Sequence, residues 1–368
     1  MYNPKSVATV AMIIMTLLKL VTLAVRIATY ISKKNWSHIL MNLDNLVITT
    51  RIRLARNIAH IPFNYQDRSF YTNIANSITR HQRNLKAFNL DELPVRDSLF
   101  EQHLISADFL NNAKYGVFVT NTDNTTNIML GEEDHLRIQV IANRYDLAQT
   151  YQTAKQIADQ LESEFDIAKD PNLGYLTKCP TNLGGGLRAS VMIYLPALTI
   201  TNKITAIFKE LDNQKITIRG IYGENSSSQG CIYQISNQEC LTMSDIEAIQ
   251  MIDQVVTRIA TTEISLQRQL WQKSPDKIID KVMRAWGLLT NAHLLSSNEA
   301  IEQLVWIKLG IGLKILSFRN NRIVDDLFFI TQPATIATNH SLHIADQIIC
   351  DQKRAEQVRE KLLMFRIK

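Results

Sequence analysis

The segment Val47–Asn57 reads VITTRIRLARN and contains three arginines, Arg51, Arg53 and Arg56, but no acidic residue. Its alternation of apolar and polar residues predicts a β-strand over Leu46–Leu54. Residues two apart on a strand project from the same face, so Arg51 and Arg53 share a face. Arginine is costly to bury unless an anionic group meets it. The strand is therefore expected to face an anion, either acidic side chains of the same chain or a bound ligand.

The composition is that of an ordinary globular protein long enough for two domains. The chain has 368 residues, of which 46% are hydrophobic and 20% charged. Its formal net charge of +5 suits an anionic ligand, but it does not resemble the dense basic patches of nucleic-acid-binding proteins. The four cysteines are scattered and form no CxxC pair. Neither a zinc site nor a disulfide framework is expected, and a reducing cytoplasm is the simplest location.

The N-terminal segment Ser6–Ile31 is apolar, with Lys19 and Arg26 inside it. Its uninterrupted apolar core, Val7–Leu18, is shorter than the roughly 20 residues that span a bilayer. A helix lying on a membrane or on a partner is therefore favoured over a true span, and a signal peptide fits poorly. An incidental extension is an equal alternative. The predicted location is cytoplasmic, with membrane association through residues 6–31.

The pattern along the chain predicts an α+β part followed by a helical part. Amphipathic helices are predicted over Asp67–Ala87, Leu147–Phe165 and Ser244–Trp271, with short strands and polar turns between them. Beyond a break at Pro275 the chain is almost purely helical. The predicted organisation is an apolar extension over residues 1–40, an α+β domain over 41–272 and a helical domain over 273–368.

Four short segments concentrate charge: TTRIRLAR (49–56), GEEDHLR (131–137), CPTNLGGGLRAS (179–190) and IRGIYGENSSSQG (218–230). Each alone is more often structural: a surface ion pair, a solvated corner, a glycine turn or a loop. Together they supply five arginines and two separate carboxylates. Arginine clusters match phosphate oxygens, and carboxylates can orient and deprotonate an acceptor. The combination predicts phosphoryl transfer, although the chain has neither a P-loop motif nor the protein-kinase motifs.

These segments, in this order, resemble the ATP:guanido phosphotransferases, the family of creatine and arginine kinases. The forms TRIRLARNIAHIPF, HLIS, EEDHLRIQ, GYLTKCPTNLGGGLRASVMIYLPAL and RGIYGENSSSQGCIYQISNQ are closest to its bacterial branch, the protein arginine kinases. The resemblance covers roughly Leu46–Leu362. It implies a phosphagen-kinase-like catalytic domain, an antiparallel sheet flanked by helices, followed by a helical dimerisation or regulatory domain.

The resemblance also assigns roles to residues. It implies that five arginines grip the ATP phosphates: Arg51, Arg53, Arg137, Arg188 and Arg219. It extends the nucleotide site to His103 and to neighbours of the arginines in the same motifs: Thr49, Thr50, Ile52, Ala189, Ser190, Val191, Met192, Gly220, Ile221, Tyr222, Gly223 and Glu224. Glu133 and Glu224 would be the catalytic carboxylates, and the acceptor guanidinium would contact Glu132, Glu133, Cys179 and Glu224. The implied cofactors are ATP and Mg²⁺, with Mg²⁺ held by phosphates and water rather than by a protein site.

The chain departs from the family pattern in three places. Gly131 stands for the usual Asn and Gly185 for the usual Thr, so both loops are expected to be looser. Cys350 stands for the first arginine of the R-D-x-x-R-A signature, which in the bacterial branch reads phosphoarginine. Asp351 and Arg354 remain, either as a weakened phosphoarginine site or as an ordinary i,i+3 helical pair.

The predicted function is a protein arginine kinase that transfers the ATP γ-phosphate to arginines of protein substrates. The alternatives are a kinase of free arginine or another small guanidine, and an inactive regulatory homologue. The resemblance further implies a homodimer, with the apolar segment Leu304–Leu316 as a contact or as an ordinary core helix. It also implies a zinc-finger-type activator protein, protease or chaperone machinery and a role in stress response. No nucleic-acid partner is expected.

Overall fold

The arginine-bearing segment is a strand, as predicted, and it lies at the centre of a large antiparallel sheet. The computed structural model describes residues 43–221, 229–239 and 241–365, and β1 spans Val47–Arg56. The other strands are β2 (Leu85–Asn89), β3 (Val117–Asn121), β4 (Thr126–Leu130), β5 (Leu136–Ala142), β6 (Lys169–Asp170), β7 (Gly174–Tyr175), β8 (Leu187–Tyr194), β9 (Ile216–Gly220) and β10 (Ile232–Asn237).

The strand order places β1 between β5 and β8. Within the described residues the main sheet has the order β2-β3-β4-β5-β1-β8-β10-β9, and β6 pairs with β7 in a separate hairpin. Every neighbouring pair is antiparallel. Residues directly opposite each other in such pairs have side chains on the same face. The strand register therefore determines which side chains from distant segments lie next to each other.

Helices surround the sheet and dominate the C-terminal part, which confirms the predicted fold class. In the described residues they are α1 (Arg68–His81), α2 (Arg96–Glu101), α3 (Ala107–Asn111), α4 (Leu147–Glu164), α5 (Pro196–Ile200), α6 (Ile204–Asp212), α7 (Asp245–Lys273), α8 (Pro275–Asn291), α9 (Ser297–Gly312), α10 (Ile323–Ile330), α11 (Pro333–Asn339) and α12 (Gln347–Phe365).

Two long helices, α4 and α7, cover one face of the sheet. α4 packs on β1 and β5, and α7 packs on β8 and β10. Both follow the predicted spans closely. α7 begins with a capping box in which Ser244 and Glu247 exchange side-chain and backbone hydrogen bonds. The alternate β1 residues Ile52 and Leu54 are fully buried. The intervening β1 side chains, including Arg51 and Arg53, therefore project from the other face.

The helix predicted over Asp67–Ala87 is too long. α1 ends at His81, and Leu85–Asn89 forms β2, which pairs with β3. The residues between α1 and β2 contain no Gly or Pro stop signal, so the helical periodicity of the sequence continues through them. Pairing with a distant strand, which local pattern does not report, decides the outcome.

The helical part begins at the predicted break. α7 ends at Lys273 and Pro275 opens α8, a position where the missing N–H of proline costs nothing. The Glu101 carboxylate accepts hydrogen bonds of 2.8 Å from the backbone N–H groups of Ala334 and Thr335 at the start of α11. The described residues from Asn45 onward form one compact unit. A domain boundary between residues 272 and 273 stays a prediction.

The apolar segment Leu304–Leu316 lies mainly in α9. Leu304, Ile307 and Leu309 are buried, and the Tyr194 hydroxyl donates a hydrogen bond to the Val305 carbonyl. Packing within the chain thus accounts for the apolar character, as expected for a core helix. Its use as a homodimer contact stays a prediction. The segment Ser6–Ile31 lies outside the described residues, and in the described part no helix combines the length and apolarity needed to cross a bilayer.

Candidate active site

Four of the predicted arginines lie on one face of the sheet, opposite α4 and α7. Arg53 of β1 stands directly opposite Arg188 of β8, and Arg51 lies two residues earlier on β1. Arg137 of β5 stands opposite Ala55, which shares the face of Arg51 and Arg53. Three strands distant in sequence therefore bring four guanidinium groups together. The side chains of Thr50, Ile52, Ala189 and Val191 alternate to the other face.

Arg219 lies on the edge strand β9 but on the same face. It pairs with Gln234 of β10, which pairs with Met192 of β8, which in turn pairs with Thr49 of β1. Its side chain is exposed. Gly220 ends β9 and Ile221 follows it, whereas Tyr222, Gly223 and Glu224 lie outside the described residues. The predicted role of Glu224 stays a prediction.

A small cleft lies where three of the arginines meet the acidic corner. It has a volume of about 70 Å³ and is lined by Arg53, Glu133, Arg137, Cys179 and Arg188, among others. The Cys179 Sγ atom lies 3.0 Å from the Thr181 hydroxyl. Three residues predicted to bind phosphate and two predicted to hold the acceptor thus share one cleft.

Arg51 is buried and Arg53 is half-buried, and neither has a carboxylate partner among the described residues. Their Nε atoms are enclosed and make no hydrogen bond there. Burial, and then the neighbouring Arg188, lowers the pKa of Arg51 to about 10. Burial also lowers the pKa of Arg53 well below its usual value, helped by Arg137, Arg188 and Arg51. Positive charge concentrated in this way, which Glu132 offsets only in part, favours an anionic ligand.

Arg56, the third arginine of the opening segment, provides the contrast. Its Nε donates to Glu162 at 3.0 Å, and its guanidinium stacks 3.4 Å from the centroid of the Tyr175 ring. Its anion is therefore an acidic side chain of the same chain. The expected acidic side chain of the same chain thus meets Arg56, whereas a bound anion at Arg51 and Arg53 stays a prediction.

Glu132 and Glu133 both pair with Arg137 but occupy different surroundings. The buried Glu132 carboxylate lies 2.6 Å from Arg137 and accepts a hydrogen bond from the Ser106 hydroxyl. Glu133 lies 3.2 Å from Arg137, keeps a quarter of its side chain exposed and lines the cleft. Burial raises the pKa of Glu133, and Arg137 opposes the rise. Glu132 thus fixes Arg137, whereas Glu133 is the carboxylate offered to the cleft.

Internal hydrogen bonds hold this acidic corner in place. Asp134 accepts from the Asn57 side chain at 2.7 Å and from the Lys178 backbone at 2.8 Å. The His135 ring accepts from the Ile58 backbone N–H at 3.0 Å, and its other nitrogen lies 2.8 Å from the Pro62 carbonyl. The corner is therefore tied to the end of β1 and to the cysteine loop, which positions Glu133 relative to Arg53.

The two glycines that depart from the family pattern are tightly packed. A Cβ at Gly131, where φ is +78°, would lie 2.7 Å from the Tyr71 ring, and one at Gly185 would lie 2.2 Å from Asp245 Oδ1. A side chain at either position would force its neighbour to move. The packing does not support the expectation that these glycines leave loose loops.

His103 lies beside Arg51, and its predicted place near the nucleotide stays a prediction. Burial, followed by the positive charge of Arg51, lowers the pKa of His103 to about 4, so the ring is neutral at physiological pH. The ring meets Phe329 of α10 edge to face, with 6.2 Å between centroids. His103 thus joins the arginine face to the C-terminal helices.

A second, larger cavity adjoins Arg51. Its volume is about 480 Å³, and Thr49, Arg51 and Met192 form its sheet side. Phe329, Arg322 and Lys361 of the C-terminal part line the opposite side. Sequence reasoning missed these three residues. No motif or spacing signals them, because only the packing of α10 and α12 brings them near β1.

The predicted phosphoarginine residues form a structural clamp. Arg354 is only 2% exposed, and its guanidinium donates to the carbonyls of Thr331 (2.6 Å) and Leu295 (2.8 Å) and to Asp351. Cys350 is also buried, with its Sγ 3.8 Å from the His343 carbonyl. The geometry favours the i,i+3 pair over an open ligand site, and phosphoarginine reading at Asp351 and Arg354 stays a prediction.

Arg354→Met is expected to destabilise the chain by about 2–4 kcal/mol, because two buried carbonyls lose a charged donor. Denaturant unfolding measures the loss. Lys353→Met is the matched control, since Lys353 pairs with Glu356 at the surface and should change stability by about 0.5 kcal/mol or less. Equal stability of the two variants would contradict the clamp.

The described residues contain no group of three or more His, Cys, Asp or Glu side chains that could hold a metal ion. The arginines of this face repel a bare Mg²⁺ ion, and the nearby Glu132 and Glu133 are paired with Arg137. The face suits a metal carried by phosphate oxygens.

Two family models match the chain. The ATP:guanido phosphotransferase C-terminal catalytic domain matches residues 68–266, and the protein-arginine kinase McsB C-terminal domain matches residues 275–367. Among solved structures, the duplicated taurocyamine kinase from Schistosoma mansoni matches with a TM-score of 0.54 and 24% identity, over 62% of this chain and 34% of that one. Lombricine kinase matches with a TM-score of 0.52 and 24% identity, over 61% and 68%. These structures show the phosphagen-kinase fold.

The curated relatives are more similar in sequence. The protein-arginine kinase of Clostridium tetani is 37% identical over 89% of this chain and 98% of its own length. That of Clostridium kluyveri is 38% identical over 86% and 94%. The predicted family is confirmed: the chain belongs to the ATP:guanido phosphotransferases and, within them, to the protein-arginine kinases.

Proposed function

We propose that the chain transfers the γ-phosphoryl group of ATP to arginine side chains of proteins. The observation that carries the proposal is the meeting of Arg51, Arg53, Arg137 and Arg188 with Glu133 on one sheet face. Arg51 and Arg53 lack a carboxylate partner among the described residues, as suits cations that receive phosphate. The names of the relatives support a protein acceptor.

We propose an order of the two substrates along β1, which the strand geometry supports. The γ-phosphoryl group would lie at Arg53, Arg137 and Arg188, beside the small cleft. The acceptor guanidinium would lie next to Glu133 and Cys179. The nucleoside would extend the other way, past Arg51 toward Thr49, which lies roughly 13 Å from Arg53 at about 3.3 Å per residue.

In the transfer step a guanidinium nitrogen attacks the γ-phosphorus, an N–P bond forms and the bond to the β,γ-bridging oxygen breaks. The departing proton goes to a carboxylate, Glu133 or the predicted Glu224, and ADP leaves. The arginines stabilise negative charge on the transferring group, and alignment of the substrates lowers the entropic cost. Mg²⁺ carried by ATP supplies further charge neutralisation at the phosphate oxygens.

The proposed protein partners and location are those that the family resemblance implies. We propose a homodimer, a zinc-finger-type activator and protease or chaperone machinery in the cytoplasm, supported by the match of the C-terminal domain model to residues 275–367. Membrane association through residues 6–31 is a separate hypothesis that rests on sequence alone.

The test is incubation of the full chain with Mg-ATP and either unfolded casein or free arginine. Acid-labile phosphate attached to arginine in casein, with little product from free arginine, is the expected result. Product from free arginine alone would favour a small-guanidine kinase. No product from either, with intact folding, would favour an inactive regulatory homologue.

A further inference from the structure

We infer that the C-terminal helices complete the nucleoside part of the ATP site, with Phe329 of α10 as the wall against which the adenine packs. The inference rests on the proposed function and extends it, because residues 275–367 lie outside the matched catalytic domain. It makes the helical part a direct contributor to nucleotide affinity.

The cavity itself is the first argument. The cavity of about 480 Å³ beside Arg51 is lined from the sheet by Thr49 and Met192 and from the helices by Phe329, Ile330 and Lys361. Its volume falls within the usual range for small-molecule sites. Six of the lining residues are apolar, which gives a purine ring an apolar contact surface, and the others are polar or charged.

The order of substrates along β1 is the second argument. The cleft at Arg53 and Glu133 takes the reacting groups, so the nucleoside must leave the phosphates in the opposite direction. That direction leads past Arg51 into the large cavity. A purine ring there would meet Phe329, which lines the cavity and packs edge to face against the His103 ring. Purine stacking on aromatic side chains contributes about 1–3 kcal/mol per base in nucleic-acid complexes.

Hydrogen bonds fix the helical wall to the strand, which is the third argument. Arg322, next to the start of α10, donates to the Val47 carbonyl at 2.7 Å and lies 3.2 Å from Asp325. Asp325 also forms a buried ion pair with Lys308 of α9. The wall is therefore held in register with the strand that carries Arg51 and Arg53, so the cavity is preorganised.

The experiment compares two ligands that share the phosphates but not the nucleoside. Isothermal titration of the full chain with Mg-ATP and with Mg-tripolyphosphate is carried out on wild type and Phe329→Ala. The variant should bind ATP about tenfold more weakly, as expected for the loss of one base–aromatic contact, and tripolyphosphate within about twofold of wild type. Phe100→Ala, which removes an exposed phenylalanine outside the cavity, should change neither.

Several outcomes would overturn the inference. These are unchanged ATP affinity in Phe329→Ala, an equal loss for both ligands, or wild-type ATP binding no tighter than tripolyphosphate. If Phe329→Ala does not fold, Phe329→Leu decides, with a smaller loss in the same direction expected for ATP alone. The measurement needs no acceptor, so a chain that binds ATP as expected but phosphorylates no arginine would refute the proposed function and leave this inference standing.

Discussion

Replacing Arg53 by methionine is expected to lower kcat for arginine phosphorylation by about 10³-fold or more. Arginine groups that stabilise a transferring phosphoryl group are worth about 10³–10⁵ in kcat in related chemistry. Arg53 lies in the cleft with Arg137, Arg188 and Glu133, where the γ-phosphoryl group would sit. Initial rates with Mg-ATP and a protein acceptor measure the effect.

The same substitution is expected to stabilise the nucleotide-free chain, by about 1–3 kcal/mol. The Arg53 guanidinium is half-buried among like charges, and the lowered pKa reflects the cost of keeping it charged. Removing it leaves no carboxylate unpaired, because Glu132 retains Arg137 and Ser106. Urea unfolding without nucleotide should show the gain, and the stabilisation that ATP gives wild type should shrink.

Arg56→Met is the matched control from the same strand. It removes the partner of Glu162 and a stacked contact with Tyr175, so it should cost about 1–3 kcal/mol of stability. Opposite signs for two arginines three residues apart would separate a ligand-binding cation from a structural one. If Arg53→Met instead unfolds the chain and retains full kcat per folded molecule, Arg53 has a structural role only.

The local part of this site was accessible from sequence, because a strand has a two-residue period. Alternation alone places Arg51 and Arg53 on one face. It also places Arg56 on the opposite face, but it does not identify the partner of Arg56, Glu162, which lies 106 residues away. The resemblance names the arginines and the carboxylates of the site. Only the register of β1 with β5 and β8 shows how these residues meet.

Two further features needed tertiary structure. The end of α1 at His81 depends on pairing of β2 with β3, and no stop signal marks it. The wall formed by Phe329 depends on packing between parts of the chain more than 270 residues apart, as the bond from Arg322 to Val47 illustrates. Composition and spacing carry no information on such contacts. The order of the four motifs, in contrast, was enough to identify the family.

Glu133→Gln is expected to lower kcat by about 10²–10⁴-fold, the range usual for loss of a positioned general base. The substitution keeps the shape of the side chain but cannot accept the proton released as the N–P bond forms. Glu133 is the described carboxylate that pairs with Arg137 while lining the cleft. Because Arg137 keeps Glu132, the arginine should stay in position, and KM for ATP should change little.

The pH dependence of kcat/KM supplies an independent signature. Burial raises the pKa of Glu133 above its usual value of 4.5. A carboxylate base is inactive when protonated, so wild-type activity should fall as the pH drops through this raised pKa. The acid limb should therefore lie at higher pH than an ordinary glutamate gives, and Glu133→Gln should lose that limb from its residual activity.

Substitutions of two other glutamates serve as controls. They distinguish the loss of a proton acceptor from the loss of a negative charge and from a loss of stability. Glu302→Gln, on the exposed side of α9, should leave rate and stability unchanged. Glu132→Gln should lower stability and reduce kcat less than Glu133→Gln, because the buried Glu132 holds Arg137 and Ser106 rather than facing the cleft. If Glu132→Gln were the more damaging for kcat at equal folding, the proton acceptor would be misassigned. Full activity of Glu133→Gln would place the chemistry on the predicted carboxylate of Glu224 alone.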